Sequence, residues 1–333
     1  MTTDKHVNEI RDEKWNSHPL VMANAHVSTI PLLEAYKQIK KRARRSRASV
    51  AFWAHPLTGK SFAIDVMEEL LARDYPRCAV VKYEATSKSK NRDQTIKNEQ
   101  VWVPTSVGGF LDSILDATAF EAKRQRSIAG KRTQVKRTLY AMAADSGRLF
   151  FIVDEAQELI EAEFCWLKEI INFLVGRNIT VTVVLFGQME LKNRCALLKD
   201  HGRSDLHARF TQCLFEFMGI TKVGELGSFL KECDEHSEYP EGSGLTYTQF
   251  LWPLAFDAGF RLEKCKEHLW KAITTIAPIG RARQGIQMHW IAQAIAEFIQ
   301  LTQKRDAPNF ESSESLWRRA VRATDFARQD AAA

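Results

Sequence analysis

The chain has 333 residues, of which 45% are hydrophobic and 26% charged, an ordinary globular composition with room for two cores. No apolar run approaches the roughly 20 residues of a membrane helix, and the opening MTTDKHVNEIRDEK lacks the apolar core of a secretory signal. A cytoplasmic protein without membrane attachment is therefore expected. Six cysteines (Cys78, Cys165, Cys195, Cys213, Cys233, Cys265) form no C-x-x-C pair, which argues against a disulfide framework or a zinc site. The net charge of +6 instead directs attention to an anionic partner.

In chain order, a helix that Thr29 caps and Pro31 begins ends in a basic cluster, Lys37, Lys40, Lys41, Arg42, Arg44, Arg45 and Arg47. Val50 to Trp53 reads as a short buried strand, and Ser61 to Asp74 as a helix with Phe62, Ile64, Val66, Met67, Leu70 and Leu71 at helical spacing. The strand Cys78 to Tyr83 precedes a polar segment carrying Lys88, Lys90, Arg92 and Lys97. Gly108 and Gly109 precede a helix with Phe110, Leu111, Ile114 and Leu115. A third basic cluster, Lys123, Arg124, Arg126, Lys131, Arg132, Lys136 and Arg137, overlaps a helix running from about 132 to 144. Next come the run RLFFIVDEAQ (Arg148 to Gln157), a helix from Leu159 to Leu174 stopped by Gly176, and the strand Ile179 to Phe186. A last strand, CLFEFMGI, spans Cys213 to Ile220. Strands alternating with helices imply a parallel sheet with its ligand at the C-terminal strand edge. From about residue 222 the pattern becomes helical, at Val223 to Cys233, Leu262 to Ile276 and Ile286 to Ile299. After Asp306 and Pro308 a polar linker leads to a short docking helix, Leu316 to Phe326.

The stretch VAFWAHPLTGKSFA joins strand to helix through a loop ending in Gly59, Lys60 and Ser61. In a phosphate-binding loop the backbone N–H groups and the helix N-terminus wrap the phosphates, the lysine neutralises them and the hydroxyl ligates Mg²⁺. Residues Ala54, His55, Pro56, Leu57, Thr58, Gly59, Lys60, Ser61 and Phe62 form that candidate cradle for ATP, although glycine is the usual residue where Ala54 stands. Asp154 and Glu155 end an apolar run, so the sheet delivers both carboxylates at its ligand edge. Asp154 is the candidate metal carboxylate beside Ser61, and Glu155 the candidate group that orients or deprotonates water. Gln188 ends a further strand, where it either positions that water or caps the following helix. In GRSDLHARF, Arg203 and Arg209 are alternative candidates for an arginine reaching into a neighbouring subunit, or for a surface ion pair.

Taken in order, AHPLTGKS, FFIVDEAQ, VVLFGQMEL and LHARF resemble the AAA+ ATPases of the TnsC, TniB and MuB type, regulators of DNA transposition, and most of all the compact TnsC proteins of CRISPR-associated transposons. The resemblance spans roughly residues 20 to 305. It implies an α/β AAA+ P-loop core, a parallel sheet flanked by helices, with a C-terminal all-helical lid. The corresponding division is an N-terminal helical segment at 1–47, the ATPase domain at 48–221, the lid at 222–305 and a tail at 306–333. It also implies that Lys60 and Ser61 are the Walker A pair, Asp154 and Glu155 the Walker B pair, and Gln188 the sensor 1 residue on a strand lying between the other two nucleotide strands. Arg203 or Arg209 would be the arginine finger, and Arg281 the sensor 2 arginine.

The expected activity is slow ATP hydrolysis with Mg²⁺, coupled to assembly of a ring or helical filament on double-stranded DNA. The resemblance adds that this homo-oligomer links a TniQ-type target selector to the TnsB transposase. Lys88, Lys90, Arg92, Lys123, Arg124, Arg126, Lys131 and Arg132 are the candidate DNA contacts, on the ground that clustered cations bind phosphates irrespective of sequence. Two alternatives remain at this point: an AAA+ ATPase of a secretion or stress system, and a nucleotide-gated DNA-binding scaffold that does not hydrolyse ATP.

Overall fold

The structure is a computed structural model and describes residues 11, 13–45, 48–86, 106–276 and 285–325. The chain divides into two compact units: one holds residues 35–56 and 60–217, the other residues 1–34, 57–59 and 218–333.

The first unit is built on five parallel strands: β1 (Ala48–Trp53), β2 (Ala79–Glu84), β3 (Arg148–Asp154), β4 (Thr180–Gly187) and β5 (Leu214–Glu216), in the order β2-β3-β4-β1-β5. β4, which ends just before Gln188, does lie between β1 and β3. Helices α1 (Ile30–Ala43), α2 (Lys60–Asp74), α3 (Val107–Ala117), α4 (Ile128–Ala143), α5 (Glu161–Val175) and α6 (Met189–Asp200) accompany them. The strands read as almost unbroken apolar runs because the sheet is buried on both faces. Val81, Tyr83, Phe151, Val153, Val183 and Leu185 share one core with α3, α4 and α5, whereas the alternate residues Phe52, Phe150, Ile152, Val184 and Phe186 are equally buried. On that second set Phe52 stacks on Phe186 at 5.0 Å and Phe150 meets Tyr75 at 5.2 Å. Tyr36 and Lys40 of α1 reach Asp74 of α2 at 3.0 and 2.7 Å.

Several element boundaries differ from the sequence reading, each for a local reason. α4 starts four residues early, because the Ser127 hydroxyl accepts from Gly130 N and caps the helix ahead of the apolar positions. Gly108 and Gly109 lie inside the first turn of α3, capped by Ser106. Gly176 keeps a right-handed backbone at the end of α5, and the left-handed residue of that turn is Asn178, φ 63°. The expected strand Cys213 to Ile220 survives only as Leu214–Glu216. Beyond it Ile220 pairs instead with Ile286 in an isolated antiparallel bridge, and a Cβ on Gly219 would lie 2.2 Å from Ile286 O.

The second unit is helical. Its main elements are α7 (Val223–Glu235), α8 (Lys266–Ile276), α9 (Met288–Thr302) and α10 (Glu314–Ala323), with short helices at Tyr247–Leu251 and Pro253–Asp257. The first turn of the predicted helix at 262 is a 3₁₀ turn, Leu262–Cys265, whose Leu262 and Glu263 N–H groups donate to Asp234. Burial raises the Asp234 carboxyl above its ordinary value. The predicted terminal helix is present as α10: Leu316, Trp317, Ala320 and Val321 form its buried stripe, and Trp317 stacks on Phe298 of α9 at 3.8 Å. Trp15, Leu20 and Val27 from the N-terminal stretch join the same core.

Candidate nucleotide site

The end of β1 and the tips of β3 and β4 lie at one edge of the sheet, because Trp53 pairs with Gly187 and Val153 with Leu185. Ala54 N donates to Gly187 O at 2.9 Å, which ties the start of the loop to β4. Left-handed backbone occurs in this loop at Leu57 (φ 63°) and Gly59 (φ 96°), not at Ala54. Alanine in place of the usual first glycine therefore carries no conformational penalty here, whereas Gly59 uses a freedom that a Cβ would deny. Lys60 opens α2 and is buried, and Ser61 follows it in the first turn.

Ser61 Oγ donates to Asp154 Oδ2 at 3.0 Å, so the hydroxyl of one candidate motif meets the carboxylate of the other. A hydroxyl beside a carboxylate is a hard-oxygen donor pair that suits Mg²⁺, an ion that takes one or two protein ligands and completes its shell with phosphate and water. Among the described residues no group of three His, Cys, Asp or Glu side chains able to hold a metal occurs. The residues present fit the ion.

Glu155 stands directly after β3 in left-handed backbone, φ 51° and ψ 38°. For a residue with a Cβ that conformation costs about 1–3 kcal/mol and persists only where surrounding contacts enforce it. Those contacts are visible. Glu155 N donates to Asp154 Oδ1 at 2.8 Å, and Glu155 Oε2 accepts from Gln188 Nε2 at 3.0 Å and from Gln157 Nε2. Gln188 is the first residue of the turn into α6, yet its side chain makes no cap bond to that helix.

Gln157 was not singled out from the sequence, and it joins the group. Its amide oxygen accepts from Gln188 N at 2.9 Å while its amide nitrogen serves Glu155, and Arg194 holds its carbonyl at 3.1 Å. The bridge requires glycine at the end of β4: a Cβ on Gly187 would lie 2.7 Å from Gln157 Oε1 and 3.0 Å from Leu191 Cβ. The available signal was a glutamine two residues past the acidic pair, but only pairing of β3 with β4 tells which groups it connects.

The other candidates sit elsewhere. Arg203 is held within its own chain by Glu161, by Asp205 at 3.2 Å and by Cys165 Sγ at 3.1 Å. That guanidinium, with Lys168, keeps the Asp205 carboxyl below the usual carboxylate range. Arg209 lies in a π-helical turn, His207–Thr211, just before β5. In the third basic cluster Arg124 pairs with Asp116, Lys131 with Asp112 and Arg132 with Glu169 at 3.2 Å. Lys123 and Arg126 are exposed. Lys88, Lys90, Arg92 and Arg281 lie outside the described residues.

A five-stranded parallel sheet with this strand order, flanked by helices, is the AAA+ P-loop fold, and a lysine and hydroxyl at the start of the first crossover helix and two carboxylates at the tip of the strand two places away stand at its ligand edge. Residues 43–195 match the family model described as an AAA domain. A crystal structure of Cdc6p from Pyrobaculum aerophilum is similar at 11% identity and a TM-score of 0.50, over 83% of this chain and 62% of that one. This chain thus spans less than two thirds of that protein, and the likeness is one of fold. Weaker similarity extends to domain III of the Thermotoga maritima replication initiation protein DnaA (13% identity, TM-score 0.37, 77% of this chain and 91% of that one). It extends also to a Walker-type ATPase of Pyrococcus abyssi (11%, 0.40, 90% and 82%). A search of curated proteins gives no match.

Proposed function

We propose that this protein is an ATP-dependent, DNA-binding regulator of DNA transposition, in which nucleotide drives assembly on duplex DNA and hydrolysis reverses it. The observation that carries the ATPase part is the convergence at one sheet edge of Ser61 with Asp154 and of Glu155 with Gln188 and Gln157. The transposition part is supported by the likeness of AHPLTGKS, FFIVDEAQ, VVLFGQMEL and LHARF to the TnsC type.

In this reading the N–H groups of the loop and of the first turn of α2 bind the phosphates, with Lys60 as their fixed counter-charge. Ser61 and Asp154 hold Mg²⁺, which when bound neutralises charge on the β- and γ-phosphates. Glu155 orients the attacking water and accepts its proton. Because both amides converge on Oε2, Oε1 is the oxygen assigned to that proton. Gln188 and Gln157 fix the carboxylate's direction, since a base must sit within hydrogen-bond reach of the proton it takes. An arginine from a second copy, Arg203 or Arg209, stabilises the transferring charge, and Arg281 is the sensor 2 arginine that the resemblance implies. The assembly presents basic residues to DNA phosphates and joins a TniQ-type selector to the TnsB transposase.

The test is electron microscopy of the purified protein with duplex DNA, in ATP and Mg²⁺ or in ADP, for wild type and Lys60→Ala. Rings or filaments that require ATP and disappear in the variant are expected. DNA binding indifferent to nucleotide, or no assembly at all, would overturn the reading.

A further inference from the structure

A cavity of about 160 Å³ opens at the beginning of β1, lined by Arg42, Arg45, Ser49, Arg209, Gln212 and neighbouring small residues. Three guanidiniums from two separate elements, the end of α1 and the π-helical turn before β5, meet there, and among the described residues no carboxylate lines the cavity. Like charges brought into one concavity repel, and the repulsion grows as water is excluded. An arginine near a helix C-terminus needs no ligand, because the helix dipole favours it. That accounts for Arg42 and Arg45 separately but not for their convergence with Arg209. Arg42 adds a second observation: its Nε is buried and has no hydrogen-bond partner among the described residues. A buried donor left unmade is unfavourable, and an acceptor that reaches the Arg42 guanidinium would relieve it.

We propose that this cavity is a binding site for a phosphate group. Guanidiniums present paired N–H donors that match phosphate oxygens, and the Ser49 hydroxyl and Gln212 amide supply neutral donors beside them. A tetrahedral oxyanion fits within the volume. Two sources share this chemistry: a phosphodiester of a nucleic-acid backbone, or a small phosphate such as the terminal group of a nucleotide. Lys41 and Arg44, exposed on and just beyond the same helix end, continue the positive surface and favour the backbone source.

The experiment compares wild type with Arg42→Gln, Arg45→Gln and, as a control, Lys82→Gln, whose ammonium already pairs with Asp65 at 3.0 Å and Glu68 at 2.7 Å and which is not among the candidate DNA contacts. The intact protein is used and circular dichroism checks folding. Arg45 is exposed, so its variant keeps the test open if Arg42→Gln folds poorly. One arm measures anisotropy of a labelled duplex across a salt series; the other measures protection against thermal unfolding by inorganic phosphate. If the occupant is nucleic acid, each cavity variant weakens binding several-fold and lowers the salt slope by about one, whereas Lys82→Gln changes neither. If it is a small phosphate, inorganic phosphate raises the wild-type Tm, the cavity variants lose that rise and the salt slope is unchanged. Cavity variants that behave as wild type in both arms would refute the site. A wild type that binds no duplex would instead remove the DNA part of the proposed function, and the phosphate arm alone would then decide the cavity.

Discussion

The two units handle buried and half-buried polar groups in opposite ways. At the sheet edge Gln157, Gln188, Asp154 and Glu155 bond to one another, and the group includes a residue in left-handed backbone. In the helical unit buried Asp234 serves as a cap for the turn at 262, and the centre is aromatic: Trp252, Phe298 and Trp317 are almost fully buried. The first arrangement accepts strain to aim a carboxylate, and the second spends its buried area on cohesion. Substitutions at the sheet edge should therefore move turnover more than stability, and substitutions in the helical unit the reverse.

The largest effect is expected at Glu155. Glu155→Gln should lower ATP turnover by roughly 10²–10⁴ while nucleotide still binds, because the proposed base is lost and the proposed phosphate contacts are kept. Turnover and nucleotide affinity measured together check this, and equal loss of both would break the contrast. Gln157→Met should follow, with kcat falling on the order of 10²-fold and KM little changed, since a small displacement of a positioned group costs about that much. Gln157→Glu, of similar size, fails to rescue it if the amide's donation to Glu155 is what matters.

In the helical unit Trp317→Ala should cost about 3–5 kcal/mol in urea unfolding, the range for deleting a large buried aromatic. Its turnover per folded molecule should be unchanged. A smaller effect is expected from His18, which lies buried against Tyr239, Tyr247 and Phe250 and accepts from Leu20 N at 3.1 Å. Burial pulls its pKa down to about 3 from 6.5. The folded imidazole thus stays neutral where the unfolded one takes up a proton. Stability from this group is intact above about pH 6.5 and falls by about 1.4 kcal/mol per pH unit below it, until the folded pKa is reached. Urea midpoints at pH 7 and pH 5 should show the decline, and His18→Phe should flatten it at some cost from the lost acceptor for Leu20 N.

Much of this was legible in the chain. The strand, loop and helix around Gly59 to Ser61, the apolar run ending at Asp154 and the strand ending at Gly187 are each specified locally, by period and by residue type. So was the buried stripe of α10, whose apolar positions recur at helical spacing. Boundaries were less accessible where a cap or a distant pairing decides them, as Ser127 does for α4 and Ile286 does for the chain after β5.

What the sequence determined by itself is therefore the identity of the chemical groups and the strand tips that carry them, since both depend on neighbours a few residues away. The tertiary structure alone decided how those groups combine. Pairing of β3 with β4 gave Gln157 its two partners and made glycine necessary at 187. Packing of α1 beside the turn before β5 brought Arg42 and Arg45 to Arg209, while the helices around α4 matched most of their cations with carboxylates. A charge written in the sequence has no fixed meaning until folding sets its distance to the next one, because electrostatic interaction depends on separation and surrounding dielectric, not on order along the chain.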